Sequence, residues 1–146
     1  MRVGDFLRAN RQKPVTCAPE DTVETVAARL TAHNIGAMPV CGAGDALVGV
    51  ISGRDLVRAF AKDAARFRER RVRDLMTRQV ITCEPAESMA AAEKLMNEHH
   101  IRHLPVVEGA KLVGVLSIRD AIAARLSESR DEVNFLRDAV IAARHL

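Results

Sequence analysis

The sequence predicts an α+β fold: two β-α-β-β-α repeats packed sheet to sheet about a pseudo-two-fold axis, followed by a C-terminal helix. Three observations predict it. The first is internal repetition. Val15-Thr16-Cys17-Ala18-Pro19 returns as Ile81-Thr82-Cys83-Glu84-Pro85, and Ile35-Gly36-Ala37-Met38-Pro39-Val40 returns as Ile101-Arg102-His103-Leu104-Pro105-Val106, both 66 residues later. Leu47-Val48-Gly49-Val50-Ile51-Ser52-Gly53-Arg54-Asp55 returns as Leu112-Val113-Gly114-Val115-Leu116-Ser117-Ile118-Arg119-Asp120, now 65 residues later. One residue is lost in the intervening turn, where a length change costs least. The second is that apolar spacing inside each copy switches from helical to extended and back. The third is composition: 146 residues, 48% apolar and 28% charged, is a chain that can bury a core and is not a disordered one. With 3% aromatics and neither Trp nor Tyr, that core is built from Val, Leu, Ile, Ala and Met.

Each element follows in order. A short extended piece ends at Pro19 or Pro85. The first helix of repeat one carries Val23, Val26, Ala27 and Leu30 on one face, and that of repeat two carries Met89, Ala92 and Met96. Asp21-Thr22 and Glu87-Ser88 supply N-caps and first-turn acids. Two apolar strands follow, around 38–40 and 47–51 and again around 104–107 and 112–116, joined by glycine-containing hairpin turns. A second helix starts near Ser52 or Ser117. One repeat has too little area to hide its sheet alone, so two copies are expected to share one core. The parts are residues 1–65 (lead-in and repeat one), 66–126 (linker and repeat two) and 127–146 (a helical tail). The lead-in is itself duplicated, Val3-Gly4-Asp5-Phe6-Leu7 echoing Val72-Arg73-Asp74-Leu75-Met76. On the tail, Val133, Leu136, Val140 and Ala143 share a face expected to pack on the same domain or a second subunit, short of coiled-coil length.

Several function classes are set aside. No apolar run reaches membrane-spanning length. Met1-Arg2-Val3-Gly4-Asp5 is no signal peptide, and three widely spaced cysteines fit a reducing cytoplasm. Cys17 and Cys83, equivalent by the repeat, are expected to pack as small apolar residues at the interface between repeats. His99, His100 and His103 read as a polar helix end plus one ligand-facing imidazole, and no metal site is expected. The run from Arg66 to Arg73 holds five Arg and one Glu but no interleaved aromatic base-stacking pattern, so nucleic acid is not expected. With no nucleophile–base arrangement and no Gly-rich phosphate loop, the chain is not read as an enzyme.

The ordered set, found twice, resembles the cystathionine-β-synthase-type (CBS) domain-pair family over roughly residues 3–126. The carrying residues are the Ile35–Val40 and Ile101–Val106 strands with Pro39 and Pro105, and the two Gly-x-x-Ser-x-x-Asp segments. The resemblance implies a regulatory sensor with no required cofactor. An adenosine-containing effector (AMP, ADP, ATP, NAD(H) or S-adenosylmethionine) binds between the repeats, and a protein target, none being attached, is signalled in trans. It implies that Asp120 holds the ribose diol and Ser117 lies near phosphate in one cleft, with Asp55 and Ser52 in the other. It also implies that Arg102 and His103 reach the phosphate in the Ser117 cleft, whose far edge is Lys13, Val15, Ile35 and Gly36. Arg119 and Arg54 are further phosphate candidates. Two pairs are implied to stack into a flat homodimeric disc. The competing reading is a nucleotide-independent scaffold, because Ser-x-x-Asp at a helix start is also a capping box and Gly36-Ala37 carries no charge where the second repeat has Arg102-His103.

Overall fold

The computed structural model describes residues 1–11 and 13–145. The elements run in chain order as α1 (Val3–Asn10), α2 (Val23–Ala32), β1 (Ala37–Cys41), β2 (Leu47–Ser52), α3 (Gly53–Lys62), α4 (Val72–Leu75), α5 (Met89–Glu98), β3 (His103–Glu108), β4 (Lys111–Ser117) and α6 (Ile118–Arg144). Short 3-10 turns lie at Ala43–Asp45 and Ala64–Glu69.

The strand pairs are antiparallel hairpins, β1 on β2 and β3 on β4, and their registers correspond: Pro39 faces Val50 as Pro105 faces Val115. Alternation then sends Met38, Val40 and Ile51 to one face, and Pro39 and Val50 to the other. The extended piece expected before each first helix is reduced to a single parallel bridge, Cys17 to Val40 and Cys83 to Val106. Proline explains the brevity. In each hairpin the residue that would donate the next bond back to the lead-in is Pro39 or Pro105, which has no N–H.

The helices start where side chains can hold their free amides. Thr22 accepts from the Thr25 N–H at 3.1 Å and Ser88 from the Ala91 N–H at 3.0 Å. α2 buries Val23, Val26 and Leu30, and α5 buries Met89, Ala92 and Met96. Ala27 is exposed, so the buried stripe of α2 is narrower than the sequence spacing suggests.

One shared core is not what forms. Each repeat has its own, between its helices and the inner face of its hairpin. What the repeats exchange is the lead-in. α1 belongs to the second core: Val3 and Gly4 donate to Glu87 and Pro85 carbonyls at 2.9 Å, and Val3 packs with Cys83, Met89 and Leu104. α4 belongs to the first: Val72 and Arg73 donate to Asp21 and Pro19 carbonyls at 3.0 and 2.9 Å, and Val72 packs with Val23 and Ile51. Gly49 and Gly114 make room for the exchange. A Cβ at Gly49 would stand 2.8 Å from Met76 Sδ, and one at Gly114 would stand 2.8 Å from Leu7 Cδ1. Cys17 and Cys83 accordingly lie inside the separate cores, not at the interface between repeats.

The tail does not begin a new element. α6 continues unbroken for 27 residues, and only Ala121 and Ala124 are buried. The Arg125 guanidinium reaches the buried Glu93 carboxylate of α5 at 3.3 Å, which anchors the root of the helix. From Arg125 onward every described residue is exposed, so the tail's apolar face does not pack on its own domain.

Candidate functional site

The outer faces of the two hairpins meet around Ala37, Pro39, Val50, His103, Pro105 and Val115, and a trough runs between them. Its polar half, about 310 Å³, is lined by Lys13, Pro14, Val15, Ile35, Ala37, Pro39, His103, Val115, Ser117 and Asp120. Its apolar half, about 210 Å³, shares Ala37, Pro39, His103 and Val115 and adds Met38, Val50, Ile101, Arg102 and Pro105.

Each polar group is placed by local folding. β4 ends at Ser117, whose hydroxyl caps α6 by accepting from the Asp120 N–H at 3.1 Å, while Asp120 Oδ2 accepts from the Ser117 N–H at 3.1 Å. The Ile118 N–H is spent on the Arg102 carbonyl at 2.8 Å, which pins the start of α6 against the start of β3. A helix N-terminus carries partial positive charge and favours anions. On the far wall, Pro39 stops the parallel ladder at Cys17, so the Val15 carbonyl has no backbone partner among the described residues. A half-buried acceptor thus lies across the cleft from Asp120.

His103 faces this cleft from β3. Its pKa is pulled below the ordinary imidazole value, chiefly by desolvation; the Asp120 carboxylate pulls it up and the Arg102 guanidinium pushes it down. Although much of the residue is open to solvent, the ring is held towards its neutral form until a negative group joins it.

The Ser52 box is built alike, with Asp55 Oδ2 accepting from the Ser52 N–H at 2.8 Å and Ser52 Oγ from the Asp55 N–H at 3.2 Å. Two features set it apart. The Ser52 hydroxyl also donates to Asp55 Oδ2 at 3.0 Å, a bond not found between Ser117 and Asp120. In addition, Thr77 pairs with Val50 through two 2.9 Å backbone bonds, laying a segment along the edge of β2.

Of the residues singled out from sequence, Lys13, Val15, Ile35, His103, Ser117 and Asp120 converge on the polar half, with Arg102 in the adjoining half. Gly36, Arg119, Ser52, Arg54 and Asp55 line neither half. Gly36 instead gives its carbonyl to the Gly53 N–H at 3.0 Å. Pro14, Ala37, Pro39 and Val115 were not anticipated. Three of them follow from strand alternation, which turns Ala37, Pro39 and Val115 away from the cores that take Met38, Val40 and Leu116.

The thiols are outside this chemistry. Burial pushes Cys17 and Cys83 up to about 12, with help from Asp21 and Glu87, and burial also raises Cys41. Among the described residues no cluster of His, Cys, Asp and Glu could hold a metal ion.

The family model described as "CBS domain" matches the chain twice, over residues 3–62 and 72–127. The chain belongs to the CBS-domain family. A CBS-domain protein of Arabidopsis thaliana, described as mitochondrial, is 34% identical over 124 residues; the match covers 82% of this chain and 60% of that protein. This chain therefore spans about three fifths of that relative's length. A solved CBS-domain protein from Agrobacterium tumefaciens superposes with TM-score 0.74 at 33% identity, covering 86% of this chain and 99% of that one. CBSX2, solved in complex with AMP, superposes with TM-score 0.74 at 27% identity over 88% of this chain and 98% of its own. The CBS pair of MJ0100, solved with 5'-methylthioadenosine and S-adenosyl-L-methionine, gives TM-score 0.71 at 27% identity over 89% and 98%. The chain thus carries two CBS repeats with a polar cleft between them. Among the described residues no helix is long and apolar enough to cross a membrane.

Proposed function

We propose that this CBS pair is a regulatory module that binds one adenosine-containing ligand per chain in the Ser117/Asp120 cleft and reports its occupancy to a protein partner in trans. The observation carrying the proposal is the convergence of Lys13, His103, Ser117 and Asp120 on one cleft whose opposite wall offers the Val15 carbonyl. Asp120 keeps Oδ1 for a ribose hydroxyl after Oδ2 has capped α6. The α6 N-terminus, Lys13 and His103 suit a phosphate, with Arg102 within reach of the adjoining half. The apolar walls, Ile35, Pro39 and Val115, suit an adenine ring whose amino group donates to Val15. Ligands of this chemistry are present in two solved relatives, AMP in one and S-adenosyl-L-methionine in another.

Residues 1–65 and 66–126 then act as one ligand-binding unit, because each lead-in helix completes the other repeat's core. Ligand spanning Val15 of one repeat and Asp120 of the other ties the repeats together, and it signals to the extent that it prefers one arrangement of them. Exposed Val57 and Phe60 on α3 offer an apolar face on which two pairs would stack. The module works without catalysis and in the cytoplasm.

A thermal-shift panel of the purified chain with adenosine, AMP, ADP, ATP, NAD(H) and S-adenosylmethionine tests the reading. Ligand at a hundredfold above its dissociation constant adds about 2.7 kcal/mol to folded-state stability. A rise with phosphate-bearing ligands exceeding that with adenosine is expected. No rise with any of them leaves both Asp residues as helix caps and favours the nucleotide-independent scaffold.

A further inference from the structure

The long α6 carries an apolar pattern that the domain does not use. Ile122, Leu126, Val133, Leu136, Val140 and Ala143, with the polar Ser129 between Leu126 and Val133, fall in alternating steps of four and three, a heptad seam three heptads long broken once by that serine. Leu126, Val133, Leu136 and Val140 along it are 52%, 52%, 57% and 53% exposed. The seam exceeds what the tail alone suggests, because its first two members, Ile122 and Leu126, lie in the part of α6 rooted on the domain. A helix draws most of its stability from packing an apolar face, and beyond Ala124 no described residue of this one is buried, with Arg125 and Glu128 tied to the domain only through ion pairs to Glu93 and the Met1 amino group.

We infer that α6 is a dimerisation arm: two copies of this chain join through a parallel, in-register two-stranded coiled coil along residues 122–143. The flanking charges select the occupant and its direction. One border of the seam is Arg130, Arg137 and Arg144; the other is Arg125, Glu132 and Ala139. In the parallel arrangement each Glu132 meets Arg137 of the second copy, twice by symmetry. The like pair that this also brings together, Arg125 and Arg130, is relieved because Arg125 is already paired with Glu93 in its own chain. The antiparallel arrangement sets the all-Arg border against itself. A lipid surface is a poorer occupant: α6 holds five Arg and five Asp or Glu, no net positive charge for anionic headgroups. The arm is independent of ligand, so it stands or falls apart from the cleft.

Sedimentation of the full chain tests the arm. The wild type is expected to be dimeric in the micromolar range. L136E/V140E is expected to weaken dimerisation at least about tenfold with unchanged thermal midpoint of the domain, since both residues lie beyond its cores. Glu132→Arg should weaken dimerisation at least about tenfold, equivalent to ~1.4 kcal/mol, and E132R/R137E should restore it. A monomeric wild type, a dimer of undiminished strength in L136E/V140E, failure of the double charge swap to restore what the single one loses, or co-sedimentation of the arm with lipid vesicles in place of dimerisation would overturn the inference.

Discussion

Asp120 and Asp55 occupy equivalent capping boxes but only one faces the cleft, so truncating each to Ala separates capping from binding. Asp120→Ala removes the acceptor of the Ser117 N–H, a 3.1 Å bond, and Asp55→Ala removes that of the Ser52 N–H, at 2.8 Å, together with the Ser52 hydroxyl bond at 3.0 Å. Loss of one such cap costs about 1 kcal/mol, a fall of roughly 2–4 °C in midpoint for a chain of this size. Asp55→Ala should cost slightly more, because it also strands the Ser52 hydroxyl. Ligand affinity should split the other way. A ribose hydroxyl bonded to a carboxylate contributes about 1.5–3 kcal/mol, so Asp120→Ala should weaken the ligand by roughly 10- to 150-fold, and Asp55→Ala should change it less than about threefold, under ~0.7 kcal/mol. Differential scanning of the free protein and isothermal titration with ligand read the two effects separately. Equal loss of affinity in both variants, or none in either, would refute the assignment of Asp120 to the ligand.

Three further outcomes follow from the packing and the charges. Gly49→Ala should destabilise by about 1–3 kcal/mol, because its Cβ would meet the Thr77 carbonyl at 2.9 Å as well as Met76. Gly114→Ala should cost less, since only the flexible Leu7 tip must move, and thermal melts compare them. His103 titrates below the ordinary value of 6.5 in the free protein, so its contribution to stability is present above 6.5 and is lost as pH falls below it towards the depressed value. A bound phosphate raises that pKa, so binding should take up a proton and strengthen as pH falls through this window; His103→Gln, compared with wild type at each pH, should remove the difference. Cys17 and Cys83, with pKa values of about 12, should resist alkylation at pH 8 while folded and react once denatured, followed by mass spectrometry.

What the sequence revealed was what is local. The hairpins and the capping serines rest on spacings within a dozen residues, and the repeat on the recurrence of those local patterns 65 or 66 residues on; all appear where the spacing puts them. The exchange of lead-ins was not legible. The echo between Val3 and Val72 shows that two segments are alike but carries no information about which core each enters; only the close approach of Leu7 to Gly114 and Met76 to Gly49 decides it. The cleft was half legible. Lys13, Val15, Ile35, His103, Ser117 and Asp120 assemble as expected, whereas Arg119 and Arg54 were drawn in by adjacency to the motif. A helix turns about 100° per residue, which takes both arginines off the side that Ser and Asp share. The heptad seam is hidden in the sequence by a tail boundary at Ser127, which cuts off Ile122 and Leu126 and leaves too few repeats to show.

The most direct test of the central claim is the stoichiometry of AMP on the wild-type chain by isothermal titration, repeated with Asp120→Ala. One site per chain is expected, weakened in the variant, because the Ser117 cleft combines a polar half with a helix N-terminus and nearby cations, whereas Ser52 and Asp55 line neither half of the trough. Two equal sites per chain, or none by this and every other adenosyl ligand, would contradict it.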